Sequence, residues 1–597
     1  MIFGKHINRY YLKYSWILLI GLAALVLVDY FQLEVPELYR MVINGMNTGF
    51  VEIDGEQVAF DLDFLLDRVC LPLIVIVLVM VVGRFLWRIC FFGSAVRVEM
   101  DIRNRMFDHC KDLSRQYYQV NKVGNLMSLF TNDLETVQEC FGSGILMFCD
   151  AAFLGTLSFV KMWNMNVWLT VLSLIPMGLL LVVGTIVGRY MMKKWEARQE
   201  AFSALSDFSQ ESFSGIAVIK AFVKETKELL AFRKLNKKNE DANVAHTKAA
   251  TVLNVCVTLF VESVVCVILG YGGYLVYRDV FNAGQLVEFI GYFTAMVWPV
   301  MAISQLIEMA SRGKASLNRI GELLDAKQDV VDRADVEDVA EIAGGIEFKH
   351  LTFRYPGGEF DVLKDVSFKI EPGENVGLVG KTGSGKTTIV DLILRTYNVP
   401  DGTIFIDGHD VNSVPIHRVR EAAAYVPQDN FLFSDTIENN IAFACDCDSA
   451  EAEADAIRAA QLADVHDNII GFKDGYRTVL GERGVTVSGG QKQRISIARA
   501  LMKRAKILIL DDSVSAVDTK TEKVILENLA KTRAGMTTIL IAHRISTIEK
   551  MDKIIFIDEG KVVGVGRHEE LYRDFASYRK MVDLQKLEEE GRGEENA

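Results

Sequence analysis

Gly380-Lys-Thr-Gly-Ser-Gly-Lys-Thr-Thr388 follows the apolar run Asn375-Val-Gly-Leu-Val379 and precedes Ile389-Val-Asp-Leu-Ile-Leu394. The order is strand, glycine-rich turn, helix. Gly380, Gly385, Lys386 and Thr387 meet the pattern G-x-x-x-x-G-K-[ST] in the context that a phosphate-binding loop requires. Within it Lys381, Thr382, Gly383, Ser384 and Thr388 complete the turn, and the glycines let backbone N–H groups point inward around β- and γ-phosphates. The helix that follows directs its positive end at the same anion. Lys386 adds a mobile charge and Thr387 a hydroxyl for Mg²⁺, so the loop predicts MgATP binding.

The chain has 597 residues, enough for several domains, and half of them are hydrophobic. Mean hydropathy is +0.19, high for a soluble enzyme. The formal net charge of −13 argues against nucleic acid as a partner, because that partner selects a basic face. The nine cysteines are scattered without zinc spacing, which fits isolated thiols in a reducing compartment.

Outward from the loop, the composition divides the chain. Residues 1–325 hold six apolar runs long enough to cross a bilayer: 14–31, 70–87, 144–160, 167–192, 252–277 and 287–307. Lys5, Arg9 and Lys13 precede the first run; Arg97, Arg103, Arg105, Lys111 and Arg115 follow the second; Lys193, Lys194 and Arg198 follow the fourth; Arg312, Lys314 and Arg319 follow the sixth. The acidic connection 49–67 has no basic residue. By the positive-inside rule both termini and both long connections are cytoplasmic. Those connections keep helical periodicity, so the spans are expected to continue below the membrane, with breaks near 121–128 and 213–219 for short transverse helices. Pro299 is expected to kink the sixth span. Asp29, Asp150, Glu262 and Glu308 lie in or near the spans. Charge in hydrocarbon is costly, and two readings stand for them: substrate contact, favoured for Asp150 and Glu262, or an interhelical bond. Residues 326–343 are charged and read as a linker, 344–583 as an α/β nucleotide-binding domain, and 584–597 as an acidic, unstructured tail.

Further motifs surround the loop. Tyr355 ends the alternating stretch 346–355, where either adenine stacking or core packing suits an aromatic. Gln428 follows the strand-like Val426, placed either to reach Mg²⁺ and the attacking water or to make a turn. Ile507-Leu-Ile-Leu510 reads as a buried parallel strand ending in Asp511, which suits a carboxylate that orders Mg²⁺ through its bound water, and Asp512, which suits the general base. Ser488 is a natural N-cap for a helix over 494–501, and Gly489, Gly490 and Gln491 expose amides at its positive end. That makes a second phosphate site, suited to another subunit's ATP. His543 ends another strand, on the ligand edge of such a sheet.

The ordered array Tyr355, Gly380–Thr388, Gln428, Ser488–Gln491, Asp511 and His543 resembles the nucleotide-binding domain of ABC transporters. The six runs ahead of it resemble the membrane half of a type IV, multidrug or lipid exporter-like half-transporter. Thr478-Val-Leu-Gly-Glu-Arg-Gly484 resembles the exporters' loop ahead of the signature, with Val479 where they usually carry Glu. The segments 131–136 and 215–220 resemble those around the family's coupling helices. The resemblance implies an α-helical membrane domain of six transmembrane helices extended into the cytoplasm, fused to an α/β P-loop nucleotide-binding domain. It implies that Tyr355 stacks adenine, that Gln428 senses the γ-phosphate, that Thr387, Gln428 and Asp511 serve Mg²⁺, and that His543 is the switch. Ser488, Gly489 and Gly490 would close on the partner's ATP, and residues 515–518 resemble the D-loop.

Asp512 departs from the family pattern, where active members usually have Glu. One missing methylene leaves the carboxylate about 1–1.5 Å short, and a misplacement of that size costs on the order of 10²-fold in rate. Members with Asp here are typically one half of a heterodimer. The resemblance therefore implies a weakly hydrolytic site in this chain, a second half-transporter as partner, the lipid bilayer as surroundings, and hydrophobic or amphipathic small molecules as cargo. A homodimeric lipid flippase and an ATP-gated regulator that does not transport are the alternatives.

Overall fold

A computed structural model describes residues 3–595 apart from 54, 55, 338, 446–449, 482, 483, 485, 486, 515, 516 and 543. The chain divides into two compact units, Met1–Asp108 with Gly124–Asp325, and His109–Val123 with Ala326–Ala597.

In the first unit six long helices cover the six apolar runs: Ser15–Thr48, Leu71–Lys111, Leu134–Met165, Val167–Ser214, Glu225–Tyr277 and Ala283–Leu324. Among the described residues, five are long and apolar enough to cross a membrane, and the fourth opens with the apolar segment Val167–Pro176. The 53 residues of Glu225–Tyr277 span about 80 Å at ~1.5 Å per residue, far more than a hydrocarbon core of ~30 Å. The helices thus run well beyond the bilayer, as their polar extensions predict. Val167–Ser214 packs chiefly on Glu225–Tyr277, while Ala283–Leu324 packs on Leu134–Met165 and Ser15–Thr48. The helix Ala283–Leu324 runs on through Pro299, whose ring lies against the space left by Gly155. The acidic connection after the first span, unassigned in sequence, forms an antiparallel hairpin, Phe50–Ile53 with Glu56–Ala59.

The first break falls at Asn121, within the stretch expected: the short helix Arg115–Val120 ends there, and Val123–Ser128 leads through Leu129–Asp133 into the next long helix. The backbone is extended at Ser114 and again at Asn121, whose side chain caps Tyr117 O at 3.0 Å. The second break falls at Gly215, followed by Ile216–Ala221, within the stretch expected.

The second unit is built on a six-stranded sheet in the order Lys561–Gly566, Lys553–Asp558, Asn375–Gly380, Thr537–Ile541, Ile507–Asp511, Ala423–Val426. All neighbours are parallel except the antiparallel edge strand Lys561–Gly566. Successive strand residues enter different cores. Leu508, Leu510 and Leu540 join one; Ile507, Ile509, Ile539 and Ile541 join the other. A strand covered on both faces reads as a continuous apolar run, which explains 507–510. A four-stranded antiparallel sheet, Leu363–Ile370, Ile346–Phe353, Ile404–Ile406 and His409–Asp410, stands beside it. The strand expected over 346–355 stops at Phe353 and bulges between Phe348 and Leu351.

The described residues of 326–343 carry no regular element, yet they are tied down: Arg333 pairs with Asp401 at 2.6 Å, and the Asp332 carboxylate accepts the Ile416 N–H at 2.8 Å. The helix Ala576–Glu595 carries regular structure into the acidic tail read as unstructured. The Leu, Gln, Lys and Glu residues there are strong helix formers, and that propensity outweighs the charge repulsion.

Candidate functional site

Parallel strands align their C-terminal ends. The pairings Ile541↔Asp511, Ile541↔Leu378 and Leu510↔Val426 bring Gly380, Asp511, Asp512 and the turn holding Gln428 to one edge of the sheet. Such an edge collects ligands in open α/β sheets.

The loop 381–385 turns from Asn375–Gly380 into the helix Lys386–Ile393. Gly385 sits at φ +101°, and a Cβ there would stand 2.6 Å from Leu363, so the turn needs glycine. A Cβ on Gly380 would lie 2.0 Å from the Ile557 carbonyl oxygen. The Lys386 ammonium is buried and donates to the carbonyls of Gly380 and Lys381, each at 2.9 Å. Burial pushes its pKa down, and Asp511 and Asp512 oppose that shift. Asp511 is 2% exposed; burial raises its carboxyl above the usual range, partly offset by hydrogen bonds from Thr387 and Tyr425. Thr387 and Asp511 are thus adjacent, as a shared Mg²⁺ requires. The Ser384 hydroxyl is buried with no partner among the described residues. The structure therefore offers a phosphate a lysine, an uncommitted hydroxyl and a glycine-lined backbone, and offers Mg²⁺ a hydroxyl beside a carboxylate. The residues fit the group.

Asp512 is held differently. Its N–H donates to Ile541 O at 3.0 Å, and its carbonyl accepts from the buried Gln493 side chain at 3.3 Å. Its backbone is left-handed, φ +47°, a region that Asp tolerates better than most residues.

Tyr355 lies at the loop after its strand. Its hydroxyl shares a 2.8 Å hydrogen bond with Thr388, and its ring meets Tyr397 edge-on at 5.1 Å. It therefore joins the aromatic core and the phosphate loop at once. Gln428 is exposed. Ser488 caps the helix Gly489–Met502, five residues earlier than the helix expected over 494–501: its hydroxyl accepts the Gln491 N–H while Gln491 Oε1 accepts the Ser488 N–H. This capping box fixes the exposed N-terminus carrying Gly489 and Gly490. Val479 is exposed, and Asp518 caps Thr519–Thr532. His543 and residues 515 and 516 lie outside the described residues.

Four neighbours were not legible in sequence. Tyr425 bonds Asp511 at 3.4 Å, Gln493 holds Asp512, Tyr397 flanks Tyr355, and Arg115 pairs with the buried Asp391 of the phosphate-loop helix at 2.7 Å. The alternation of the strand Ala423–Val426 could have suggested Tyr425. Nothing local points to Arg115. In the first unit the acids separate. Asp29 is buried and Asp150 accepts the Trp298 indole N–H at 2.6 Å, whereas Glu262 and Glu308 are exposed.

Two family profiles match, "ABC transporter transmembrane region" over residues 11–300 and "ABC transporter" over 363–515. The chain is 36% identical, over 99% of its length and 98% of the relative's, to a probable multidrug resistance ABC transporter ATP-binding/permease protein of Bacillus subtilis (strain 168). It is 33% identical to the ATP-dependent lipid A-core flippase of Syntrophus aciditrophicus (strain SB), over 88% of this chain and 87% of that one. A bacterial Atm1-family ABC exporter solved with ATP bound superposes with a TM-score of 0.76 at 25% identity, over 97% of this chain and 98% of that one.

Proposed function

The chain belongs to the ABC transporter family, and from that premise we propose that it is the weakly hydrolytic half of a heterodimeric exporter of hydrophobic or amphipathic compounds. Membership makes it a multi-pass protein of the cytoplasmic membrane that uses ATP for export. The proposal concerns what this chain's own site does.

Tyr355 stacks the adenine, and the amides of Gly380–Thr388 with Lys386 hold the phosphates. Thr387 and Asp511 hold Mg²⁺, which neutralises phosphate charge when bound, and Gln428 reads the γ-phosphate side. Ser488, Gly489 and Gly490 close on the partner's ATP, and His543 acts as the switch beside this chain's own. ATP closes the paired domains, and reopening after phosphate release resets the membrane helices.

The observation that carries the proposal is Asp512. Its carboxylate is one methylene short of the family's usual Glu, and its backbone is pinned at both ends, by Ile541 O and by Gln493. The main chain therefore has little freedom to restore the missing reach. The signature Ser488–Gln491 is intact, so this chain can complete a partner's site while its own site holds ATP. The test is to purify the chain alone and together with a half-transporter carrying Glu at the equivalent position. Slow turnover alone and fast turnover together is expected; strong ATPase from the chain alone overturns the heterodimer.

Similarity to the lipid A-core flippase favours a second reading, a homodimeric lipid flippase in which Asp512 still works. Asp512→Asn separates the two, because a homodimer loses all turnover.

A further inference from the structure

A closed ring of contacts ties the short helix Arg115–Val120 to the phosphate loop. Arg115 and Gln119 stand four residues apart on that helix, so both face one way. The Arg115 guanidinium pairs with Asp391 of the helix Lys386–Ile393 at 2.7 Å, and Gln119 Oε1 accepts the Tyr397 hydroxyl at 2.9 Å. Between those two partners the chain turns sharply: the Thr396 N–H donates back to Asp391 O at 2.8 Å, and Arg395 lies at φ +48°. That left-handed turn ends the helix and sends Tyr397 back toward the loop. The Tyr397 ring meets Tyr355 edge-on, with 5.1 Å between centroids and planes at 81°. Tyr355 returns to the helix through the 2.8 Å hydrogen bond its hydroxyl shares with Thr388.

We propose that Tyr397, held at its hydroxyl by Gln119, is a positioning residue that sets the plane of the Tyr355 ring and thereby the affinity for the adenine base. This role rests on the reading that Tyr355 stacks adenine, and it adds what fixes the ring for that task.

A ring whose plane is fixed in advance binds a base more tightly than one that must be ordered on binding. The bond to Thr388 fixes only the tip of Tyr355. It leaves the ring free to turn about its long axis, because that axis passes close to the hydroxyl oxygen. An edge-on neighbour opposes the turn, since the attraction between ring quadrupoles depends on the angle between their planes. Phe353, in the same strand and loop, supplies one such neighbour at 5.2 Å and 79°; Tyr397 supplies the other from a distant part of the chain. Tyr397 is itself 3% exposed, so its hydroxyl needs the Gln119 acceptor: orphaned, it would draw the ring toward water and away from Tyr355. Phosphate binding is carried by Lys386 and the loop amides, so the loss of Tyr397 or Gln119 falls on the base.

The full-length protein in lipid nanodiscs is titrated calorimetrically with adenylyl imidodiphosphate, an ATP analogue that resists hydrolysis, and with tripolyphosphate, each with Mg²⁺. Tyr397→Ala is expected to weaken the nucleotide roughly 2- to 13-fold, the worth of one edge-on ring pair, and to leave tripolyphosphate unchanged. Gln119→Ala, at an exposed position, is expected to weaken the nucleotide about 2-fold or more with the same selectivity. Tyr397→Phe keeps the ring and removes the need for an acceptor, so it binds as wild type, and adding Gln119→Ala to it changes nothing further. Unchanged tripolyphosphate binding also reports that each variant folds; should Tyr397→Ala not fold, Gln119→Ala alone and in the Tyr397→Phe background carries the test. Equal losses for both ligands overturn the positioning role, as does a further loss when Gln119→Ala is added to Tyr397→Phe. Nucleotide weakened by Tyr355→Ala but by neither Tyr397→Ala nor Gln119→Ala overturns that role alone. A Tyr355→Ala variant that binds both ligands as wild type refutes the stacking reading, and the positioning role with it.

Discussion

Lengthening one side chain tests the central proposal: Asp512→Glu. The added methylene returns about 1–1.5 Å of reach, and a misplacement of that size is worth on the order of 10²-fold in rate. The two backbone bonds of Asp512, to Ile541 O and from Gln493, keep the Cα where it is, so the new carboxylate advances by the full length of the methylene. A cost accompanies the gain. The backbone lies at φ +47°, a left-handed conformation worth about 1–2 kcal/mol of strain for ordinary residues and less for Asp. Glu should therefore lower apparent stability by under ~1 kcal/mol, too little to obscure the rate. The assay is steady-state phosphate release from the chain reconstituted alone, where a second copy supplies Ser488–Gln491. The variant is expected to turn over roughly 10²-fold faster than wild type. Affinity for a fluorescent ATP analogue should hardly change, because Lys386, Thr387 and Asp511 are untouched. A rate unchanged from wild type, with ATP still bound, refutes the reasoning: the reach of residue 512 would not limit hydrolysis.

Tyr355→Phe should keep ATP affinity while Tyr355→Ala weakens it by roughly 2- to 13-fold, the worth of ~0.5–1.5 kcal/mol of ring stacking, read by nucleotide titration. Arg115→Ala leaves the buried Asp391 without its cation and should cost about 1–3 kcal/mol, discounted because Arg115 is half exposed. Burial holds the Asp391 carboxyl above its ordinary range and Arg115 opposes that rise, so the variant's carboxyl moves higher still. Arginine stabilises only the ionised acid. The gap in apparent Tm between wild type and variant is therefore widest above the folded pKa of Asp391, and it closes as pH falls through that value toward the ordinary 3.8. Ser488→Ala removes a helix cap worth ~1 kcal/mol; it should slow ATPase of the mixed dimer more than it weakens ATP binding to this chain, measured side by side.

Local pattern made much of this molecule legible. Six apolar runs became six long helices because a backbone in hydrocarbon has to satisfy its own hydrogen bonds. The glycine pattern at 380–388 yielded the loop because left-handed turns and close backbone approach are properties of a few neighbouring residues. The break expected near 121–128 is found at Asn121, but the short helix Arg115–Val120 ahead of it was not legible: its bounds depend on where the chain becomes extended, at Ser114 and Asn121, and apolar periodicity does not record that. Hydropathy does not tell which acid of the spans is buried: Asp29 is, while Glu262 is exposed.

By itself the sequence determined which segments are helical and apolar, where the glycine-rich turn between strand and helix falls, and which carboxylate stands at position 512. Each of these follows from residues within one turn or one strand of each other. The tertiary structure alone decided that Arg115 meets Asp391 across 276 residues, that Gln493 pins Asp512, and that Asp29, Asp150 and Trp87 line one cavity. Burial and partnership depend on which faces of separate elements pack together, and no single segment carries that information.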